Sequence, residues 1–174
     1  MSEPAGVDVR RLMAGFPTGV SVVTALASDG TPRGMTCTSL CSVALDPPTL
    51  LVCLRRGSPT LDAVVDTAVL SVNLLHRSAR PAAELFGSGV PDRFDRIPWT
   101  AAPGGGPHLS DAAHTIADCV VDAWHPVGDH VVVMAEVARI TSLRTPAPLL
   151  YGMRRYGTWA EDDDAAFLSY DFIS

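Results

Sequence analysis

The chain has 174 residues, of which 47% are hydrophobic and 18% charged, with a net charge of −6 and a pI near 5.2. Such a chain suits one domain with a core of its own, and its acidity excludes a general attraction to nucleic acid or anionic membrane. Lysine is absent, so all 13 basic side chains are arginine, and any bound phosphate has to be gripped locally.

Val7–Gly15 has a helical pattern that stops at Gly15, just before Pro17. Val20–Ala27 is rich in β-branched residues and ends in the turn signal Ser28-Asp29-Gly30, and a second strand is expected from Arg33 to Leu45. Asp46-Pro47-Pro48 breaks it, and Thr49–Leu54 reads as a buried strand. Ser58 and Pro59 carry the signals of a capped helix over Thr60–Asp66, with Asp62 and Asp66 on its exposed face. A strand over Ala68–Leu75 and a short helix over Ser78–Phe86 follow.

The stretch Gly87–Leu109 is rich in proline and glycine and includes Gly104-Gly105-Gly106. A loop of that length is expected to be functional or disordered. Thr115–Trp124 and Val131–Ser142 read as paired strands around Gly128-Asp129-His130. Pro146–Tyr156 reads as one helical turn, and 160–174 as an acidic tail that frays. Many strands in meander order with short helices favour an antiparallel barrel over a doubly wound sheet. No internal repeat or domain boundary is visible, so 1–174 reads as one domain.

Several chemistries are excluded. No Gly-x-Gly-x-x-Gly leads a strand into a helix, no Gly-x-Ser-x-Gly elbow occurs, and a Walker loop would need lysine. Cys37, Cys41, Cys53 and Cys119 lack zinc or redox spacing. His125 and His130 flank a turn, but a metal pair there is not expected, and no metal site is assigned. Met1–Asp8 is polar, and no apolar run reaches the ~18 residues of a membrane helix. The expectation is a reduced, cytoplasmic protein. No self-sufficient catalytic set appears, so any enzymatic reactivity is expected to come from a cofactor.

Phe16-Pro17-Thr18-Gly19-Val20-Ser21-Val22-Val23-Thr24 resembles the opening signature of the flavin reductase-like domain. Gly34-Met35-Thr36-Cys37-Thr38-Ser39, Asp46-Pro47-Pro48, Ser71-Val72-Asn73-Leu74-Leu75, Asp92-Arg93-Phe94 and Gly128-Asp129-His130 continue the likeness in order. Pro148-Leu149-Leu150-Tyr151 with Tyr156-Gly157 completes it. The resemblance spans about 16–159. It departs from the family at Thr38-Ser39, where Ser-Ser is common, and at Gly152, where the family is more aromatic.

The resemblance implies a mainly β fold, a six-stranded antiparallel split barrel, working as a homodimer with flavin near the interface. It implies an NAD(P)H:flavin oxidoreductase that passes a hydride from NADH or NADPH to FMN or FAD and supplies reduced flavin to a partner monooxygenase. It implies flavin contacts from Thr18, from Thr36, Cys37, Thr38 and Ser39, and from Cys53 and Asn73. The phosphate would lie by Arg56, Ser58 and Thr60, beside Arg55, where the first turn of a helix favours an anion. Arg93 would reach phosphate and Phe94 pack beside the ring, the alternative being an internal Asp–Arg clasp in that loop. His130 would orient NAD(P)H, and Tyr156 would line the same pocket. Two other readings remain on the same fold: a flavoprotein that keeps FMN and oxidises its own substrate, and a non-enzymatic flavin or haem binder.

Overall fold

Alternating β-branched and small residues build most of the chain into antiparallel strands, and the computed structural model describes residues 7–159 of it. The acidic tail lies outside the described residues. In chain order come α1 (Val9–Ala14), β1 (Thr18–Gly19), β2 (Ser21–Leu26), β3 (Pro32–Cys37), β4 (Cys41–Leu45) and β5 (Pro48–Arg55). Then follow α2 (Pro59–Thr67), β6 (Val69–Leu75), α3 (Arg80–Gly87), a 3₁₀ turn at Arg93–Asp95, β7 (Thr100–Ala101) and β8 (Pro107–His108). The long strands β9 (Ala113–Val127) and β10 (His130–Ser142) precede the short pair β11 (Leu150–Gly152) and β12 (Arg155–Gly157).

The main sheet has the order β3-β2-β6-β9-β10-β5-β4, and every pairing in it is antiparallel. Its two edges, β3 and β4, are successive parts of one segment. The single strand expected over Arg33–Leu45 is therefore broken at 38–40: β3 pairs with β2, and β4 pairs with β5. Counting that segment once gives six sides, as a split barrel requires. Pro146–Tyr156 is not a helical turn. It forms the β11–β12 hairpin, with Met153 and Arg154 at positive φ in its tip, and it pairs with β1.

One core lies inside the barrel, where alternate residues such as Val23, Val52, Leu54, Val72 and Val133 point inward. Leu61, Ala63 and Val64 of α2 join that core. Ser58 caps α2 by accepting the Leu61 N–H at 3.2 Å. A second core lies outside the barrel, where Ala82, Ala83 and Phe86 of α3 meet Val20, Val22, Leu75 and Phe94. Phe94 packs edge-on against Phe86 (5.0 Å) and Trp99 (5.8 Å). Gly34 makes room for that pair, since a Cβ there would sit 3.0 Å from Phe86 and 3.1 Å from Phe94.

The long loop is ordered, and its glycines have a packing reason. Thr24, Ser71, Asp118 and Arg139 are successive cross-strand neighbours on β2, β6, β9 and β10, and they form a polar row on the outer face. Asp118, 1% exposed, accepts from Ser71 Oγ, from His108 Nε2 at 2.7 Å and from Arg139 Nε at 2.8 Å. Thr24 Oγ1 donates to the Pro107 carbonyl at 2.6 Å, and the Gly106 N–H donates to Ser71 Oγ at 2.7 Å. A Cβ on Gly105 would run into Asp118, and one on Gly106 into the Thr24 carbonyl. Only glycine lets the loop lie this close.

Burial alone would raise the Asp118 pKa, but the hydrogen bonds from Ser71, His108 and Arg139 outweigh it and hold the carboxyl below its ordinary range. Its stabilising contribution is therefore complete above the unfolded value of ~3.9 and is lost as pH falls through the folded value. Asp118→Asn is expected to lower the unfolding free energy by about 3 kcal/mol at pH 7, measured by urea denaturation. The gap between variant and parent should shrink below about pH 4. A gap that stays constant down to pH 2 would mean that the charge of Asp118 is not what holds the loop.

Candidate functional site

The connection from β5 into α2 is built to leave donors unused. Pro59 has no N–H, Ser58 Oγ takes the Leu61 amide, and the Asp62 amide bonds the Ser58 carbonyl at 3.1 Å. The Thr60 amide is left at the positive end of the helix dipole. A cavity of about 530 Å³ opens there, lined by Arg33, Arg55, Arg56, Ser58, Thr60 and Arg93 among others. None of these four arginines makes an ion pair with a carboxylate among the described residues. The Asp–Arg clasp allowed for in the loop does exist, but with a different arginine: Asp92 holds Arg96 at 2.6 Å and 2.9 Å. Arg93 is thereby left to the cavity. Burial, and then the nearby Arg33, push its pKa below the usual value.

The turn at 128–130 is tied to this cavity. Gly128 is at φ +57, a backbone position that favours glycine. The Arg56 N–H donates to the Asp129 carbonyl at 2.9 Å, and Arg56 Nη1 donates to the Gly128 carbonyl at 3.3 Å. His130 pairs with Arg55 across the strands. Its Nδ1–H bonds Asp129 Oδ1 at 2.9 Å, an interaction that holds the Asp129 carboxyl below its ordinary pKa. The half-exposed imidazole thus keeps Nε2 for a ligand.

From Met35 at the cavity, β3 runs to the break at 38–40, roughly 13 Å of extended chain up to Ser39. Thr36 Oγ1 donates to the Ala83 carbonyl at 2.7 Å and so anchors α3. Cys37 is buried, and burial pushes its thiol pKa up. Ser39 Oγ accepts the Cys53 N–H at 3.1 Å and donates to the Cys53 carbonyl at 3.2 Å. It closes the barrel where the ladder is interrupted. Thr38 is exposed, and its hydroxyl makes no hydrogen bond among the described residues. Beyond the break, an open cleft of about 540 Å³ is lined by Phe16, Thr18, Thr38, Ser39 and Tyr151 among others.

The structure thus brings Arg56, Ser58, Thr60, Arg93 and His130 to one end of β3, and Thr18, Thr38 and Ser39 to the other, with Thr36, Cys37 and Cys53 between them. Three of the residues expected to touch a cofactor have partners within the protein. Asn73 is fully buried and spends its amide on Val22, Thr24, Pro107 and Leu109. Phe94 belongs to the outer core. Tyr156 packs on Tyr151 at 5.1 Å with Arg80 above its ring at 5.6 Å, against the outer core. Arg33 was missed. No motif marks it, although strand periodicity puts it on the same face as Met35. His125 pairs with Val132, away from His130, and no metal-binding group of three is present among the described residues.

The hydroxyl assignments can be separated by stability alone. Ser39→Ala should lower the unfolding free energy by about 1 kcal/mol in urea, and Thr38→Val should stay within about 0.5 kcal/mol of the parent. Equal losses would contradict the division between a bracing hydroxyl and a free one.

Residues 13–160 match the family model described as "Flavin reductase like domain". The chain is 51% identical over 156 residues to the flavin reductase (NADPH) of Lentzea aerocolonigenes, covering 89% of this chain and 91% of that protein. It is similar in fold to the nitrilotriacetate monooxygenase component B homologue from Mycobacterium thermoresistibile, with a TM-score of 0.82 and 33% identity, covering 88% of this chain and 86% of that one. It is equally similar to the Streptomyces globisporus C-1027 NADH:FAD oxidoreductase SgcE6, solved in complex with NAD and FAD fragments, at a TM-score of 0.82 and 30% identity, covering 88% and 92% of the two chains. The chain belongs to the flavin reductase-like domain family.

Proposed function

We propose that this member of the flavin reductase-like family is an NAD(P)H:flavin oxidoreductase, transferring a hydride from NADH or NADPH to FMN or FAD and passing the reduced flavin to a separate monooxygenase. The observation that carries this reading is the arginine cavity joined by β3 to an open cleft, which suits a ring-bearing nucleotide with its phosphate at the α2 end. Arginines without carboxylate partners and a spare helix amide fit a phosphate. When bound, flavin supplies the hydride-accepting ring, so no side chain has to act as base for the hydride itself.

The residues then divide by role. Ser58, the Thr60 amide and Arg56, with Arg55 beside them, hold the phosphate, and Arg93 adds charge from the long loop. Thr36, Cys37 and Ser39 serve through backbone and shape, because their polar side-chain atoms are hydrogen-bonded within the protein or buried, and half-buried Cys53 adds a small side chain beside them. Thr38 offers its hydroxyl to the ring's polar edge, and Thr18 lines the same cleft. His130 binds the nicotinamide nucleotide through Nε2 and orients it. Positioning of this kind accounts for much of the rate in a direct transfer between two bound rings. Asn73 and Phe94 act as framework, and Tyr156 supports Tyr151 at the cleft.

The whole chain is read as one domain. A homodimer is also proposed. Leu12, Met13, Phe16 and Met153 are exposed at or beside the open cleft, and a second copy would cover them. Light scattering should give twice the chain mass, and Phe16→Asp should shift it toward the monomer. A parent that scatters as a monomer at micromolar concentration overturns this part. A cytoplasmic setting is proposed from four free cysteines. No helix among the described residues is long and apolar enough to cross a membrane.

NADH and NADPH oxidation, followed with FMN, FAD and riboflavin in excess, tests the activity. Turnover of free flavin is expected; a tightly held flavin without that turnover would point instead to a flavoprotein with its own substrate. His130→Ala should raise the nicotinamide KM about tenfold with flavin affinity within twofold, and Ser58→Ala should do the reverse. A His130→Ala enzyme with unchanged KM would remove the role given to that residue.

A further inference from the structure

We infer that the arginine cavity contains a second phosphate subsite, formed by Arg33 and Arg93 and separate from the one at Ser58 and Thr60. The inference rests on the flavin reductase reading and deepens it, because it assigns the cavity to ligands with more phosphate than FMN carries.

Arg33 and Arg93 come from β3 and the long loop, whereas Arg55, Ser58 and Thr60 come from the β5–α2 connection. One phosphate at a helix start needs a spare amide, a hydroxyl and one or two cations, and that connection supplies them all. The other two arginines are surplus to that need. They are close enough for Arg33 to depress the ionisation of Arg93, second only to burial. Like charges held together in a partly buried place are unfavourable unless an anion joins them.

Among the described residues no carboxylate forms an ion pair with either arginine, although Asp29 feels the charge of Arg33. Asp92 is bonded to Arg96, and Asp29 is bonded to the Thr31 amide at 2.9 Å. Asp62 and Asp66 share a shallow groove with Arg33 but form no ion pair with it. The protein also fixes the approach of Arg93. Phe94, the next residue, is locked between Phe86 and Trp99. Trp99 adjoins β7, whose partner strand β8 ends at His108 on the Asp118 carboxylate. Arg93 is thus held on a braced loop, facing the cavity that Arg33 enters from β3. A cavity of about 530 Å³ has room for more than a single phosphate group.

Three sources share this chemistry: the second phosphate of FAD, the 2′-phosphate of NADPH, and the pyrophosphate common to both nicotinamide nucleotides. Titrations of the full chain with FMN, FAD, NAD⁺ and NADP⁺, followed by calorimetry, separate them without relying on turnover. The comparison is between the parent, Arg33→Ala and Arg33→Lys, with thermal denaturation as the check on folding. Arg33→Ala should weaken at least one of the last three ligands about tenfold more than it weakens FMN, with part of that loss recovered in Arg33→Lys. A selective loss of FAD assigns the subsite to flavin, and a selective loss of NADP⁺ assigns it to the 2′-phosphate. Equal losses of NAD⁺ and NADP⁺ assign it to the pyrophosphate. Equal effects on all four ligands, or none, overturn the subsite while leaving the reductase reading intact. A parent that binds neither FMN nor FAD overturns both.

Discussion

The whole arrangement depends on one segment, 32–45, serving both edges of the sheet. A barrel leaves no free edge only if its first and last strands meet, and here they are the same stretch of chain. The change of partner from β2 to β5 cannot be made without interrupting the ladder. At the interruption, backbone groups lose their regular partners, and Ser39 replaces two of those bonds with its hydroxyl. The same interruption exposes Thr38 and opens the cleft beside Thr18. A ligand-accessible groove is therefore a consequence of how the barrel closes, rather than an addition to it.

The second constraint is the polar row from Thr24 to Arg139. It sits on a face that would otherwise need apolar cover, and it is covered by backbone instead. That choice calls for glycine at 105 and 106 and for a fully paired carboxylate at 118. A loop held through hydrogen bonds at close range has little freedom to slide. Its rigidity carries through Trp99 and Phe94 to Arg93, so a network far from the cavity helps to define what the cavity presents.

Strand content, the cap at Ser58, the short helices and the Gly128-Asp129-His130 hairpin were legible because they rest on local rules: alternation, capping and turn chemistry. The break at 38–40 was not. Thr38, Ser39 and Leu40 are all compatible with a continuing strand, and only the demand for closure interrupts it. Pro146–Tyr156 misled for the opposite reason. Its short strands have too few residues for alternation to register, and its turn uses Met153 and Arg154 at positive φ, where no glycine announces it. In the site, residues named by motif divided according to what their side chains already hold. His130 keeps Nε2 unbonded among the described residues and Ser58 lines the cavity, whereas Asn73 and Phe94 are consumed by the framework. That distinction is a property of packing, which motif likeness does not encode. Arg33 shows the converse, a cavity residue with no motif to mark it.

A chain of net charge −6 repels phosphate at long range, so binding must overcome that field locally. The fold groups arginines from β3, the β5–α2 connection and the long loop around one cavity, and none of them forms an ion pair with a carboxylate among the described residues. The acids nearest in sequence are engaged elsewhere, Asp92 with Arg96 and Asp129 with His130. Engagement of these carboxylates matters as much as the arginines themselves, because a free aspartate at the rim would neutralise the cavity before a nucleotide reached it. Arg56 then adds a link that charge alone would not require. By bonding the carbonyls of Gly128 and Asp129, it makes the phosphate end of the cavity and the His130 turn parts of one hydrogen-bonded unit. Ordering the β5–α2 connection around a phosphate would thereby also order the turn that carries the imidazole.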